Sequence, residues 1–207
     1  MLAVCLDLEG VLIPEIWINL AERTGIEALR KTTRDEPDYD RLMSFRLGIL
    51  DQNDIKIEDI TSTIDSMEPM KGAPDFLQSL QSRWPILILS DTFSQFANPM
   101  MVKLNHPTLF CHSLVIDDSG RIADWEIRYD DHKRKMVESL LEMNFHVIAA
   151  GDSYNDTSML SAASAGILFK PPDNVVDEFP QFPVARDYSE LIIAIESAAL
   201  DFGERWK

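Results

Sequence analysis

Cysteine occurs only at Cys5 and Cys111 in 207 residues. That is too few, and too widely spaced, for a disulfide framework. Two reduced thiols are expected, and with them a cytoplasmic setting. Histidine is nearly as scarce. His106, His112, His132 and His146 show no metal-ligand spacing, which argues against a histidine-based zinc site. No run approaches the ~20 apolar residues of a membrane span. The start, Met1-Leu2-Ala3-Val4, lacks a basic region and Asp7 interrupts its apolar stretch, so no signal peptide is expected. Positive charge is short as well. Nineteen Lys and Arg face 35 Asp and Glu, for a formal charge of −16. A surface of that sign repels nucleic acid and anionic membranes, so neither is expected as a partner.

What remains is enough apolar residue, 45%, to fill one sizeable core. Short apolar runs at Leu2–Leu6, Ile86–Leu89, His146–Ala149 and Ala165–Phe169 read as strands buried on both faces. Helical patterns alternate with them at Pro74–Arg83, Ser94–Leu104, Lys133–Met143, Thr157–Ala163 and Ser189–Phe202. This alternation predicts an α/β fold, an open Rossmann-like parallel sheet flanked by helices. Two segments depart from it. Pro14 to Pro69 holds helical stretches at Glu15–Thr24, Tyr39–Leu50 and Ile57–Met67, read as a helical insertion lying over the active rim. Ser113–Tyr129, with Asp117-Asp118-Ser119-Gly120 between alternating runs, reads as a β-hairpin and a candidate dimer contact. Gly203 to Lys207 is expected to fray.

The chemistry lies at the strand ends. The first apolar run delivers Asp7 and Glu9, followed by Gly10. A distant one delivers Gly151-Asp152-Ser153-Tyr154-Asn155-Asp156. Ligands bind beyond the carboxyl ends of such strands, so these acids should meet. Like charges gathered there repel unless a hard cation compensates them, and oxygen ligands beside a phosphate suit Mg²⁺. Asp7 is the candidate nucleophile, forming an aspartyl-phosphate. Glu9, two residues on, is the candidate acid and base. Ser90, after the second strand, offers a hydroxyl and backbone N–H groups to a phosphate oxygen, or else it or Asp91 caps the helix that follows. One of Lys133, Arg134 and Lys135 can neutralise nucleophile and phosphoryl group together, although position alone does not choose among them. Asp152 is the direct metal ligand, with Asp156 beside it, either reaching the metal through water or orienting Lys133.

The ordered set Asp7-Leu8-Glu9-Gly10-Val11, Ser90, Lys133 and Gly151-Asp152-Ser153-Tyr154-Asn155-Asp156 resembles the haloacid dehalogenase superfamily. Within it the chain is similar to phosphoserine phosphatases, especially the bacterial branch that includes phosphoserine:homoserine phosphotransferases. The resemblance implies a catalytic core of residues 1–14 and 70–207 with a cap at 15–69. It implies Asp7, Glu9 and Lys133 as catalytic residues. Asp7, the Glu9 main-chain carbonyl and Asp152, with Asp156 adjacent, would hold Mg²⁺. Ser90, Asp91, Lys133 and Asn155 would line the substrate, with Glu15 facing its ammonium and Arg46 its carboxylate. The implied substrate is O-phospho-L-serine, with L-homoserine as a further acceptor. The alternatives are another small phosphomonoester, or a non-catalytic binding module that keeps the fold. Two departures stand out. The second acid of the first motif is Glu9 where the superfamily usually has Asp, and Asp91-Thr92 follows Ser90 where phosphoserine phosphatases have glycines.

Overall fold

Every residue of β1, Leu2–Leu6, is buried, because helices cover both faces of the strand. Side chains alternate across a strand. Leu2, Val4 and Leu6 therefore enter one apolar cluster and Ala3 and Cys5 the other. The computed structural model describes residues 1–32, 35–36 and 38–203. Of the tail expected to fray, residues 204–207 lie outside the described residues.

β1 is the centre of a seven-stranded sheet ordered β4-β3-β2-β1-β5-β6-β7. The other strands are β2 (Ile86–Phe93), β3 (Thr108–Ile116), β4 (Ile122–Glu126), β5 (His146–Gly151), β6 (Ala165–Phe169) and β7 (Val184–Ala185). All pairings are parallel except β3 with β4. The chain leaves β1 towards β2 on one side and later returns to β5 on the other. The rim between them is thus a topological switch point, where such sheets bind ligands.

The helices are α1 (Ile16–Thr24), α2 (Tyr39–Gln52), α3 (Ile57–Asp65), α4 (Ala73–Gln81), α5 (Ser94–Lys103), α6 (His132–Glu142), α7 (Thr157–Ala162), α8 (Asp173–Glu178) and α9 (Tyr188–Asp201). Helices α4, α5 and α9 bury Phe76, Phe96 and Ile195 on the larger cluster, whereas α6, α7 and α8 bury Val137, Met159 and Val175 on the smaller. No helix is long and apolar enough to cross a membrane among the described residues. Cys5 and Cys111 are free thiols.

Two findings differ from the sequence reading. Strand β2 does not stop at Leu89 but runs to Phe93, with a register shift against β3 between Leu89 and Phe93. Ser90 and Asp91 therefore lie in an irregular strand end, and neither caps α5, whose N-cap is Phe93. The hairpin expected at Ser113–Tyr129 forms from β3 and β4, with β3 also extending the main sheet. Its turn is tied to the helical insertion by Ile57 N–H donating to Gly120 O (2.9 Å) and by Arg121 with Asp51 (2.8 Å). Finally, α8 and the two-residue β7 carry too little periodic pattern to be seen in sequence.

Candidate active site

Asp7 leaves β1 next to β5, its N–H donating to Ala150 O at 2.9 Å. The residue is 4% exposed and its carboxylate meets Lys133 Nζ at 2.9 Å. That ammonium also lies 2.8 Å from Asp156 Oδ1 and 3.4 Å from Asp91 Oδ2. Three carboxylates thus surround a cation with three donors. Burial opposes the Lys133 charge, but Asp156, Asp7 and Asp91 outweigh it and hold its pKa well above the ordinary value. Asp7 is pushed the other way. Burial, then Asp156, raise its pKa well above the usual carboxylate range, against the pull of Lys133.

Among the three basic residues that open α6, the structure selects Lys133. Arg134 pairs with Asp131 and Glu138 at the surface, and Lys135 lies over the Tyr129 ring.

Asp156 is fully buried and serves as the hub of its loop. Its Oδ2 accepts the N–H groups of Asp152 (2.9 Å) and Ser153 (3.2 Å), while Oδ1 takes Lys133. It therefore orients Lys133 and shapes the loop that presents Asp152. Gly151 is required here, because a Cβ would overlap the Asp156 carboxylate. Gly10 faces Asp152 in the same way. Its φ is +79° and a Cβ would come within 2.5 Å of the Asp152 carboxylate. Asp7, Asp152 and Asp156 present carboxylate oxygens that all lie within 4.8 Å of one another. Such an all-oxygen, acid-rich set fits a hard cation.

Glu9 turns towards the insertion. Its Oε2 accepts the Ile16 N–H at 2.8 Å, so the acid anchors the start of α1. Burial, then Glu15, push its carboxyl up to about 7, while the Ile16 N–H and the Thr92 hydroxyl pull it down. Ser90 is buried and its Oγ accepts the Thr92 N–H at 3.3 Å.

Asp7, Glu9, Ser90, Lys133 and Asp152 share one cavity of about 100 Å³ with Glu15, Trp17, Tyr39 and Arg46 of the insertion and with Asp91 and Asn155 of the rim. Arg46 is 6% exposed. Its guanidinium lies 4.4 Å from the centroid of Trp17 and donates to Lys31 O at 3.0 Å, but its buried Nε has no partner. Burial lowers its pKa to about 10. The Tyr39 hydroxyl donates to Asp91 O at 3.1 Å, joining α2 to the end of β2.

Of the residues singled out in sequence, all line this cavity except Asp156, which is buried behind Lys133, and Arg134 and Lys135, which pair elsewhere. Trp17, Tyr39 and Thr92 were not among them. Tyr39 and Trp17 carried no signal beyond helical periodicity, and Thr92 only its place in the departure after Ser90. Nor did sequence spacing reveal that His112 and His132 come together, with ring centroids 4.5 Å apart, beside Asp91. Burial opposes the Asp91 charge, but Lys133, the two histidines and Asn155 hold its carboxyl well below the usual range.

The sheet order, with the ends of β1, β2 and β5 and the start of α6 converging on one rim, defines a haloacid dehalogenase fold. No family model matches the chain. It is 54% identical to phosphoserine phosphatase ThrH of Pseudomonas aeruginosa, over 90% of this chain and 91% of that protein. It is 53% identical to a phosphoserine phosphatase of Pseudomonas syringae pv. tomato, over 90% of this chain and 79% of that protein. A solved phospho-aspartyl intermediate analogue of phosphoserine phosphatase shares its fold, with a TM-score of 0.75 and 20% identity over 92% of this chain and 96% of that one. The chain belongs to the phosphoserine phosphatase family of enzymes.

Proposed function

We propose that this protein is a Mg²⁺-dependent phosphatase of O-phospho-L-serine that works through a phosphoryl group carried on Asp7. The observation that carries the reading is the polarity of the cavity. Its lining combines Asp7, in contact with a buried ammonium, and a buried Arg46 whose Nε–H has no protein partner. A ligand with a phosphate at one end and a carboxylate at the other matches both. A planar guanidinium grips carboxylates well, and Glu15 on the cavity wall suits the ammonium between them. The names of the close relatives support the same substrate.

The steps follow from the residues in place. An Asp7 oxygen attacks phosphorus as the bond to the serine oxygen breaks, and Glu9 gives its proton to that departing oxygen. The Glu9 carboxylate then takes a proton from the incoming water as the water oxygen attacks the same phosphorus. The bond to Asp7 breaks, freeing phosphate. Lys133 and the Ser90 hydroxyl hold charge that builds on the phosphoryl oxygens. A Mg²⁺ ion held by Asp7, Asp152 and the main-chain carbonyl of Glu9 would neutralise the gathered carboxylates and the phosphoryl group. In this reading residues 15–69 form a cap that shields the reaction from bulk water, over a core of residues 1–14 and 70–207.

An alcohol can replace water in the second half, and L-homoserine is the acceptor we propose, with Glu9 and Asp91 as the two residues that depart from the hydrolytic pattern. Phosphate release from O-phospho-L-serine with Mg²⁺, measured with and without L-homoserine, tests the function. Release is expected in both cases, with O-phosphohomoserine appearing only in the second. Absence of any turnover would overturn the reading, and free phosphate alone would confine it to hydrolysis.

A further inference from the structure

Two buried histidines take no part in the steps above, yet both rings lie against Asp91. His112 on β3 is 4% exposed and His132, the first residue of α6, is 5%. His132 Nε2 is 3.2 Å from Asp91 Oδ1, and His112 Nε2 is 3.7 Å from the same oxygen. The other oxygen of Asp91 faces the cavity. Oδ2 accepts Asn155 Nδ2 at 2.9 Å and lies 3.4 Å from Lys133 Nζ. One carboxylate therefore links a buried imidazole pair to two groups on the cavity wall.

The ring proton of His112 can be placed. The Arg128 N–H donates to His112 Nδ1 at 3.1 Å, so Nδ1 keeps its lone pair and the proton sits on Nε2, facing Asp91. The ligand atoms of Asp91, His112 and His132 lie within 4.8 Å of one another, close enough for a cation. A protonated His112 Nε2 cannot ligate one, however, so the arrangement reads as a clamp in which His132 hydrogen-bonds Asp91 Oδ1 and His112 packs its Nε2 edge 3.7 Å from the same oxygen.

We propose that His112 and His132 are positioning residues that fix Asp91, and through it Lys133 and Asn155, for phosphoryl transfer. The inference rests on the reading of Lys133 as the phosphoryl-side cation. Asp7 and Asp156 approach Lys133 from fully enclosed positions, whereas the Asp91 side chain is 36% exposed. Without a hold on Oδ1 that carboxylate can turn to solvent and leave the third lysine donor unmatched. His132 also adjoins Lys133 in α6, so one helical turn supplies both the cation and part of the clamp.

Steady-state kinetics of H132L, H132Q, D91N and H132L/D91N test this, with O-phospho-L-serine and a plain aryl phosphate as substrates. Loss of positioning at the reacting atoms should lower kcat of H132L about tenfold on both substrates, with KM changed less than about twofold. H132Q, whose amide N–H can occupy the Nε2 position, should keep most of the wild-type rate. In the D91N background, H132L should cost nothing further, because coupled residues are not additive. A wild-type rate in H132L, an H132Q as slow as H132L, or additive losses would each overturn the proposal. If the wild-type protein turns over neither substrate, the proposed function fails on its own. The clamp is then judged by ¹H–¹⁵N imidazole NMR of the wild-type protein. A proton on Nε2 of both rings is expected, and a bare Nε2 on either would refute it.

Discussion

A buried lysine is tolerable only where opposite charge surrounds it, and Lys133 has three carboxylates within 3.4 Å. Arg46 is the reverse case, a buried guanidinium with one N–H unmatched. Leaving a buried donor unpaired is costly, which makes Arg46 the group with most to gain from a ligand carboxylate. Charge-assisted hydrogen bonds contribute ~1.5–3 kcal/mol. R46A should therefore raise KM for O-phospho-L-serine roughly 10-fold or more, and leave an aryl phosphate without a carboxylate within about twofold. Equal losses on both substrates would remove Arg46 from carboxylate recognition. At this scale the sequence was partly legible. The strand-end acids announced themselves, because carboxylates after apolar runs have few structural uses. The choice of Lys133 over Arg134 and Lys135 was not available in the sequence and comes from the structure. Lys133, Val137 and Leu140 are buried on one face at helical spacing. Nothing in the sequence paired His112 with His132, because that contact is made between different elements.

Local geometry supplies reasons for both departures from the family pattern. The longer side chain of Glu9 lets its carboxylate cap the start of α1 through the Ile16 N–H, joining the end of β1 to the insertion in one contact. E9D shortens that reach by a methylene. It should alter the ratio of transfer to hydrolysis and lower thermal stability by ~1 kcal/mol, the usual value of an N-cap. An unchanged ratio would remove Glu9 from the choice of acceptor. The second departure, Asp91-Thr92, sits where β2 loses register with β3. The polar Ser90-Asp91-Thr92 hid that extension from a reading based on apolar runs. The hairpin turn carries its own prediction. Asp117 is lowered to about 2 by the Ser119 hydroxyl, then by the Arg121 N–H. A depressed folded pKa adds stability above the ordinary carboxylate range, and this is lost as pH falls towards 2. The Tm difference between wild type and D117N should therefore shrink from near-neutral pH to about pH 2. A gap independent of pH would contradict that origin.

At the scale of the molecule, the sheet order brings segments far apart in sequence to one rim, and residues of the insertion line the cavity there. The alternation of buried strands and helices made the α/β class legible, because strands covered on both faces must be apolar throughout. The short β7 and α8 and the docking of the hairpin turn on the insertion were not legible, since each depends on tertiary contacts rather than local pattern. The central claim is that this framework delivers phosphate onto Asp7 from a ligand held at both ends. Acid-quenched mixing with O-phospho-L-serine and Mg²⁺, followed by peptide mass spectrometry, tests it most directly. A phosphoryl group is expected on the peptide carrying Asp7 in the wild-type protein, and neither label nor turnover in D7N. A label on another residue, or turnover retained by D7N, would contradict it.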